Sequence, residues 1–305
     1  MPFYRFFFGL MATLWVSARL SAQSGLPEWE AALIPWSNRL VDSLSADRQT
    51  ASDSLFHGLR QALALPGAFE YPFDSLQSIS RITAPDGALR LVTWQLRLND
   101  STWQYKGFLL VRAPVEALFV LTDQSSELPA SPRHEQLDPD RWYGALYYNI
   151  FRFEAPEGTR YLLFGYKGYS LTERQKLIDV LWFDPVTRQP RLGDAVFEGV
   201  PGEDGEARLR FMLEYYAEAK VRLNWDEQYQ RILFDHLIPM TNPYDGTPTR
   251  VPDGSYQGFE LKDGRWHFID NVFNDSQEEV PRPFPVLDDD KNRDILGREK
   301  KKKKN

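Results

Sequence analysis

The fold of this chain is decided by residues 89–111, LRLVTWQLRLNDSTWQYKGFLLV. Two runs rich in aromatic and apolar residues, 89–98 and 103–111, flank the turn Asn99-Asp100-Ser101. Asn and Asp tolerate the positive φ that tight hairpin turns require, and aromatic and β-branched residues favour pleated, half-buried surfaces. The stretch therefore predicts an antiparallel β-hairpin.

The same pattern of short strands and tight turns continues on both sides of this hairpin. The predicted strands fall into three groups, within residues 79–122, 142–198 and 208–271. Asp86-Gly87 and Asp263-Gly264 supply further hairpin turns. Because short connections imply antiparallel neighbours, the chain is predicted to be mainly β, an antiparallel meander of about 12–14 strands with either propeller-like or sandwich packing.

Residues 23–70 are predicted to form an N-terminal helical segment. Helical spacing relates four apolar residues: Leu55, Phe56, Leu59 and Leu63. Ser52 or Asp53 is a candidate N-cap of this helix, and Pro66-Gly67 marks its end. Pro35 is expected to break an earlier, shorter helix.

The pattern of residues 1–22 predicts a secretory signal peptide. Arg5 supplies a positive n-region, residues 6–18 form an apolar run, and small residues precede Gln23. This run is shorter than the roughly 18–20 residues that span a bilayer, and no later segment is apolar enough to do so. The chain is therefore expected to be exported and to lack a transmembrane segment after cleavage, and the periplasm is preferred over the extracellular space.

The rest of the chain is expected to divide into a β-rich domain, residues 71–274, and a disordered tail, residues 275–305, that is first acidic and then rich in lysine. The sequence contains no cysteine. This absence excludes disulfides, thiolate metal sites, a cysteine nucleophile and lipid attachment to a cysteine.

The charge balance bears on the partners of the protein. The net charge of −7 argues against nucleic acid, because phosphate binding needs a basic face. The expected partner is an envelope protein or a glycan. The end of the tail is expected to make weak contact with an anionic surface through a run of lysines: Lys300, Lys301, Lys302, Lys303 and Lys304.

The sequence carries no catalytic or cofactor motif. It has neither a G-x-S-x-G elbow nor a glycine-rich phosphate or dinucleotide loop. The histidines share no metal-ligand spacing: His57, His134, His236 and His267. No cofactor and no metal is therefore predicted. A hydrolase would need a pair of carboxylates, which the sequence does not locate.

Aromatic residues are the main candidates for ligand contact. Residues 142–153 are predicted to form a strand with Trp142 and Tyr148 on one face and Tyr143 and Tyr147 on the other. Because both faces are apolar, a core strand buried on both sides is favoured over a platform for sugars. Residues 165–169 are predicted to form a wide hairpin turn, and residues 242–256 a long polar loop. The predicted ligand contacts come from these segments: Trp142, Tyr166, Tyr169, Tyr244, Asp245 and Tyr256.

Three stretches resemble an uncharacterised family of exported Bacteroidota proteins: WYGALYY at residues 142–148, FDHL at 234–237 and PDGSY at 252–256. The resemblance extends over roughly residues 80–270 and implies an envelope or secreted location. It brings no catalytic residues. Family members sorted to the cell surface would carry a folded C-terminal sorting domain, whereas this chain has the acidic and basic tail, which favours the periplasm.

Three functions follow as hypotheses. The first is a non-catalytic scaffold or binding module of the cell envelope, so that the chain is expected not to be an enzyme. The second is a hydrolase acting on glycan or peptide through the carboxylate pair. The third is a carbohydrate-binding module that uses exposed aromatic side chains.

Overall fold

The computed structural model describes residues 25–41, 45–112, 116–129, 131–202 and 207–273. The predicted signal peptide and the predicted tail lie outside the described residues. Helix α1 (Leu26–Arg39) and helix α2 (Ser45–Ala62) precede the strands. Neither of these described helices is long and apolar enough to cross a membrane.

The strands follow the helices in chain order. Their bounds are β1 (Ser80–Thr83), β2 (Leu89–Arg97), β3 (Trp103–Val111), β4 (Ala117–Thr122), β5 (Leu146–Ala155), β6 (Gly158–Gly168), β7 (Glu173–Phe183), β8 (Pro190–Leu192), β9 (Phe197–Glu198), β10 (Phe211–Tyr216), β11 (Leu223–Asp226), β12 (Arg231–Thr241), β13 (Pro248–Lys262) and β14 (Arg265–Ile269). A short 3₁₀ helix (Pro139–Arg141) lies between β4 and β5.

The described strands form three sheets. Sheet I has the order β1-β2-β3-β4, sheet II the order β10-β7-β6-β5 with β8 beside β7, and sheet III the order β11-β12-β13-β14-β9. Neighbouring strands are antiparallel except for β14 and β9, which are parallel. The prediction of a mainly β, antiparallel chain with an N-terminal helical segment is confirmed. Each sheet corresponds to one predicted group, except that β9 and β10 exchange places between sheets II and III.

The helices and sheets stack as layers, and each interface is a hydrophobic core. The helices cover one face of sheet I, where Phe56 stacks on Phe108 with ring centroids 5.1 Å apart. The other face of sheet I packs on sheet II through residues such as Leu109 and Leu163. The second face of sheet II packs on sheet III around Phe164 and Trp266. Sheet II is therefore buried on both faces, which explains why its central strands read as nearly continuous apolar runs.

The helical segment is also tied to sheet I by polar contacts. The guanidinium of Arg90 on β2 donates to the backbone carbonyls of Phe69 and Pro72, each at 3.0 Å. Tyr71 donates to the Glu30 carboxylate of α1 at 2.6 Å. Together these bonds satisfy the polar groups that link the helices to the first sheet.

The helix ends differ from the prediction. Helix α2 begins at Ser45, so Ser52 and Asp53 lie inside it and neither caps it. The Ser52 hydroxyl accepts a hydrogen bond from Trp94 Nε1 at 3.1 Å, and Asp53 pairs with Lys106. Pro35 lies within α1 and does not break it. Instead of capping the helix, as the sequence predicts, these two side chains bond to residues of sheet I.

Three strand boundaries also differ. Residues 248–256, predicted as loop, belong to the long strand β13, and residues 165–168, predicted as turn, belong to β6. Residues 219–222, predicted as strand, precede β11. The proline and glycine residues of this stretch are typical of a loop, which is what the sequence predicts. They are tolerated in β13 because this part of the strand lies in an exposed hairpin.

Candidate functional site

The hairpin of β12 and β13 ends in an arm of mostly exposed residues, in which Asn242 and Thr249 are buried. In this arm Met240 pairs with Thr249 and Thr241 with Pro248. The turn that joins the two strands is built by Asp245, whose Oδ1 accepts from the backbone nitrogen of Thr247 at 2.9 Å and from its hydroxyl at 2.7 Å. These bonds hold the pKa of Asp245 below its usual value. The turn is thus closed by hydrogen bonds from a side chain to its own backbone and neighbouring hydroxyl.

The arm folds back onto the end of sheet II. The ring of Tyr244 lies 6.5 Å from the ring of Tyr216 on β10, and the Tyr244 hydroxyl donates to Glu218 Oε1 at 3.0 Å. Tyr244 is nevertheless 72 % exposed. We call this place the arm junction and define it by seven residues: Glu173, Tyr216, Glu218, Asn242, Tyr244, Asp245 and Thr249.

Three polar atoms at the arm junction are buried without a hydrogen-bond partner: Tyr216 Oη, Asn242 Nδ2 and Thr249 Oγ1. Their residues are only 7 %, 1 % and 5 % exposed. Each buried polar atom left unpartnered costs about 1–3 kcal/mol, so native proteins contain few of them. Two of the three are poorly paired rather than isolated, because the Tyr216 hydroxyl lies near Glu218 and Tyr244 and the Thr249 hydroxyl lies near Glu173.

The acidic side chains of the junction differ in environment. Burial raises the pKa of Glu173, and the charges of Glu214 and Asp245 raise it further. The Thr249 hydroxyl faces Glu173 and opposes the shift, although the two groups do not reach hydrogen-bond geometry. Glu173 is therefore a carboxyl group that gains a proton more readily than an ordinary surface glutamate.

Glu214 stands next to Glu173 on the same face of sheet II. The register places Tyr216 opposite Glu173 and puts Glu214 two residues away, which makes the two glutamates diagonal neighbours. Glu214 Oε1 accepts from Ser131 Oγ at 2.8 Å and pairs with Arg133 at 3.0 Å. Glu214 is thus held by an ion pair and a hydrogen bond, whereas burial raises the pKa of Glu173.

Two tyrosines are electrostatically coupled to these carboxylates. Burial raises the pKa of Tyr216 to about 12, and contacts of its hydroxyl with Glu218 and Tyr244, which fall short of hydrogen-bond geometry, raise it further. Burial also raises the pKa of Tyr169, and the charges of Glu214 and Glu173 add to this shift. Tyr169 therefore borders the junction, close to the start of β7.

The structure brings together three of the six predicted contact residues. Tyr244 and Asp245 lie in the arm turn, and Tyr169 lies at the edge of the junction. Tyr166 is a half-buried residue of β6. Tyr256 packs edge-to-face on Phe273 in another part of sheet III, with ring centroids 5.6 Å apart.

The sixth predicted contact, Trp142, belongs to the core. Strand β5 begins at Leu146, so Trp142 and Tyr143 precede it and do not alternate with Tyr147 and Tyr148 as predicted. Trp142 is fully buried, and its Nε1 donates to Tyr147 Oη at 2.9 Å. The core interpretation of these aromatic residues holds, and Trp142 has no exposed face on which a sugar could stack.

A second polar cluster is buried between sheets I and II. Arg210 and Asp179 are fully buried and pair at 3.2 Å. Arg210 also donates to the backbone carbonyls of Pro132 and Glu135, and Tyr147 Oη donates to Asp179 Oδ2 at 3.2 Å. We call this cluster the interior network. Its charges are paired and hydrogen-bonded, which makes its role structural.

Lys167 of β6 is a buried lysine that faces the same interior. Its Nζ donates to the carbonyls of Tyr143 and Gly144 at 2.8 Å and 3.1 Å. Burial lowers the pKa of Lys167 to about 8, and the charge of Asp123 opposes this shift. Gly144 adopts a φ of +74°, and a Cβ there would lie 2.5 Å from Asp123 Oδ1, so this close approach requires glycine.

Two histidines make ion-pair contacts at the surface. His236 Nδ1 lies 2.9 Å from Asp253 Oδ2, and His267 Nδ1 lies 3.4 Å from Glu198 Oε2. Within the described ranges no group of three or more histidine, aspartate or glutamate side chains is arranged to hold a metal ion. These pairs are exposed contacts between neighbouring strands.

Sequence reasoning missed five residues of the site: Glu173, Tyr216, Glu218, Asn242 and Thr249. They come from three segments of the chain, so only the folding of the arm onto β10 brings them together. The sequence offers one weak indication of the site: Glu214 and Tyr216 are two residues apart in β10 and therefore lie on the same face of the strand. Comparison of the chain with protein-family models, with curated proteins and with solved structures gave no match.

Proposed function

We propose that this protein is an exported, non-catalytic binding module of the cell envelope and that its ligand is a glycan held at the arm junction. The observation that carries the proposal is the exposed ring of Tyr244, which packs beside Tyr216 at a junction where three buried polar atoms lack a hydrogen bond of normal geometry. A sugar offers hydroxyl groups that both donate and accept, together with a face that stacks on an aromatic ring. The predicted signal peptide supports export.

The binding role is tested by co-sedimentation of the full mature chain with insoluble chitin, cellulose and peptidoglycan. We expect the wild-type chain to sediment with at least one of them and Tyr244→Ala to remain in solution. Tyr229→Ala is the matched control, because Tyr229 is an exposed tyrosine of another surface, where it packs on Phe273. Loss of binding in Tyr229→Ala, or none by the wild-type chain, would contradict the proposal.

A second candidate function is hydrolysis of a glycan by Glu173 and Glu214. The observation that favours it is their different environment: one carboxyl is partly buried with a raised pKa, and the other is ion-paired with Arg133. Such a difference is the pattern of an acid and its partner carboxylate in glycosidases. The measurement is the appearance of new reducing ends in the same polysaccharides. Release of reducing ends that Glu214→Gln abolishes would replace the binding role by a catalytic one.

A further inference from the structure

We infer that the outer face of sheet III is a docking surface for the proline-rich segment of this same chain, residues 280–285, VPRPFP. The inference is independent of the proposed glycan binding, because it concerns another surface of the molecule. It rests on an exposed aromatic patch, on the place where the described chain stops and on the restricted backbone of the segment.

The first observation is the aromatic patch, which we define as Tyr229, Tyr256 and Phe273. The ring of Phe273 lies edge-on to both tyrosines, with its centroid 5.0 Å from that of Tyr229 and 5.6 Å from that of Tyr256. Phe273 is 38 % exposed and Tyr229 is 44 % exposed. Single exposed aromatic residues are ordinary, whereas contiguous exposed apolar groups mark interaction sites.

The patch lies on the face of sheet III that points away from sheet II. Tyr256 and Gly258 alternate along β13 with Phe259, which belongs to the core shared with sheet II. Residues 270–273 run beside β13, because the backbone nitrogen of Val272 donates to the carbonyl of Tyr256 at 3.1 Å. A Cβ at Gly258 would lie 3.0 Å from Val272 Cγ2, so the Val272 side chain covers this outer face. The described chain therefore stops on the face that carries the patch.

The second observation is the sequence that follows the patch. Asn274-Asp275-Ser276 repeats the tripeptide Asn99-Asp100-Ser101, which reverses the chain between β2 and β3. In that turn the asparagine Oδ1 accepts from the backbone nitrogen and the hydroxyl of the serine, at 3.0 Å and 3.1 Å. The eight residues from Phe273 to Pro281 span up to about 26 Å when extended. The connection is thus long enough for the segment to return to rings that lie beside Phe273.

The third observation is the restricted backbone of the segment. Every residue of 280–285 is either a proline or directly precedes one. Proline fixes its own φ near −65°, and it holds the preceding residue in an extended conformation. Such a segment favours polyproline II, a conformation that unfolded chains also adopt, so docking it costs little conformational entropy. Because proline has no N–H, the segment docks through its ring faces and not as an added strand.

The chemistry of the patch fits this occupant. Proline-rich segments dock on surfaces lined by aromatic rings, and tyrosine hydroxyls donate to the carbonyls that polyproline II leaves unpaired. The charges also match. Arg282 is the first basic residue after Phe273, and Asp270 lies beside the patch, where its Oδ1 accepts from Gln257 Nε2 at 2.9 Å. In the described ranges Asp270 belongs to no ion pair, so its charge is available to Arg282.

The test is photo-crosslinking of the full mature chain with p-benzoylphenylalanine incorporated in place of Phe284, followed by tryptic digestion and mass spectrometry. We expect crosslinks within one chain to the peptides 223–231 and 251–262, which contain Tyr229 and Tyr256. Crosslinks to other parts of the chain, or none, would overturn the inference. A crosslinked dimer would assign the surface to a second copy and would overturn it as well.

Variants separate the contribution of the patch from that of the segment. Tyr229→Ala should lower the crosslink yield at least about fivefold, and so should the combined changes Pro281→Ala, Pro283→Ala and Pro285→Ala. Tyr244→Ala is the control, because Tyr244 lies at the arm junction, and it should leave the yield unchanged. The three proline changes alter no residue of the described sheets, so loss of folding does not complicate them. An unchanged yield in the proline variant would contradict the inference.

Discussion

The interior network and the arm junction both bury polar side chains, but the two regions satisfy them differently. In the interior network, Arg210 and Asp179 are charged, fully buried and surrounded by partners. At the arm junction, three buried uncharged atoms lack a hydrogen bond of normal geometry: Tyr216 Oη, Asn242 Nδ2 and Thr249 Oγ1. A protein tolerates buried polarity at a structural position by pairing it. At the arm junction, the proposed ligand supplies the contacts that the protein itself does not.

The largest expected effect belongs to the interior network. Arg210→Met should lower the free energy of unfolding by about 3–5 kcal/mol, because it leaves the charge of Asp179 buried without its partner. Chemical denaturation measures this loss. Arg97→Met is the control, since Arg97 pairs with Asp100 at the surface and should cost less than about 1 kcal/mol. Similar losses for the two variants would show that the network is not the rigid centre described here.

The next effect concerns Lys167 and depends on pH. Its pKa is about 8 in the folded chain against an ordinary value of 10.5, so the unfolded chain binds more protons between these values. Stability should therefore rise with pH in this window, with a slope approaching about 1.4 kcal/mol per pH unit. Below pH 8 the cost of burying the charged lysine is fully present.

Denaturation of the wild-type chain and of Lys167→Met between pH 8 and pH 10 measures this slope. Lys167→Met should lack the contribution of Lys167 to this slope, because methionine has no proton to lose. The tyrosines with raised pKa values add a slope of the opposite sign towards pH 10, because they begin to ionise in the unfolded chain, but this contribution is common to both chains and cancels in their difference. If the two chains show the same slope, the folded environment of Lys167 does not lower its pKa.

The smallest effect is expected at the exposed pair of His236 and Asp253. The backbone nitrogen and hydroxyl of Ser255, followed by His236, hold the pKa of Asp253 at about 2. The stability that Asp253 contributes is present above its ordinary pKa of 3.8 and is lost as the pH falls towards 2. Thermal unfolding should show Asp253→Asn slightly below wild type at pH 7 and equal to it at pH 2. A constant difference at both values would contradict this assignment.

The sequence predicts the interior layers better than the arm. The hairpin of β2 and β3 is recognisable because apolar runs flank a turn that needs positive φ, and these causes are local. The exchange of β9 and β10 between sheets is not local: β9 has only two residues, and its pairing with β14 depends on tertiary packing. The polar composition of residues 242–256 predicts Tyr244 and Asp245 as ligand contacts. Glu173 and Tyr216 join them only through the folding of the arm, which no periodicity records.

The most direct test of the comparison makes one chemical change in both regions, Tyr147→Phe in the interior network and Tyr216→Phe at the arm junction, and measures the free energy of unfolding without ligand. Tyr147 Oη binds both Trp142 and Asp179, so its removal should cost about 1–3 kcal/mol. The hydroxyl of Tyr216 makes no hydrogen bond of normal geometry, so its removal should leave stability within about 0.5 kcal/mol of wild type or raise it. If Tyr216→Phe costs as much as Tyr147→Phe, the junction is a structural polar cluster and its assignment as a ligand site is wrong.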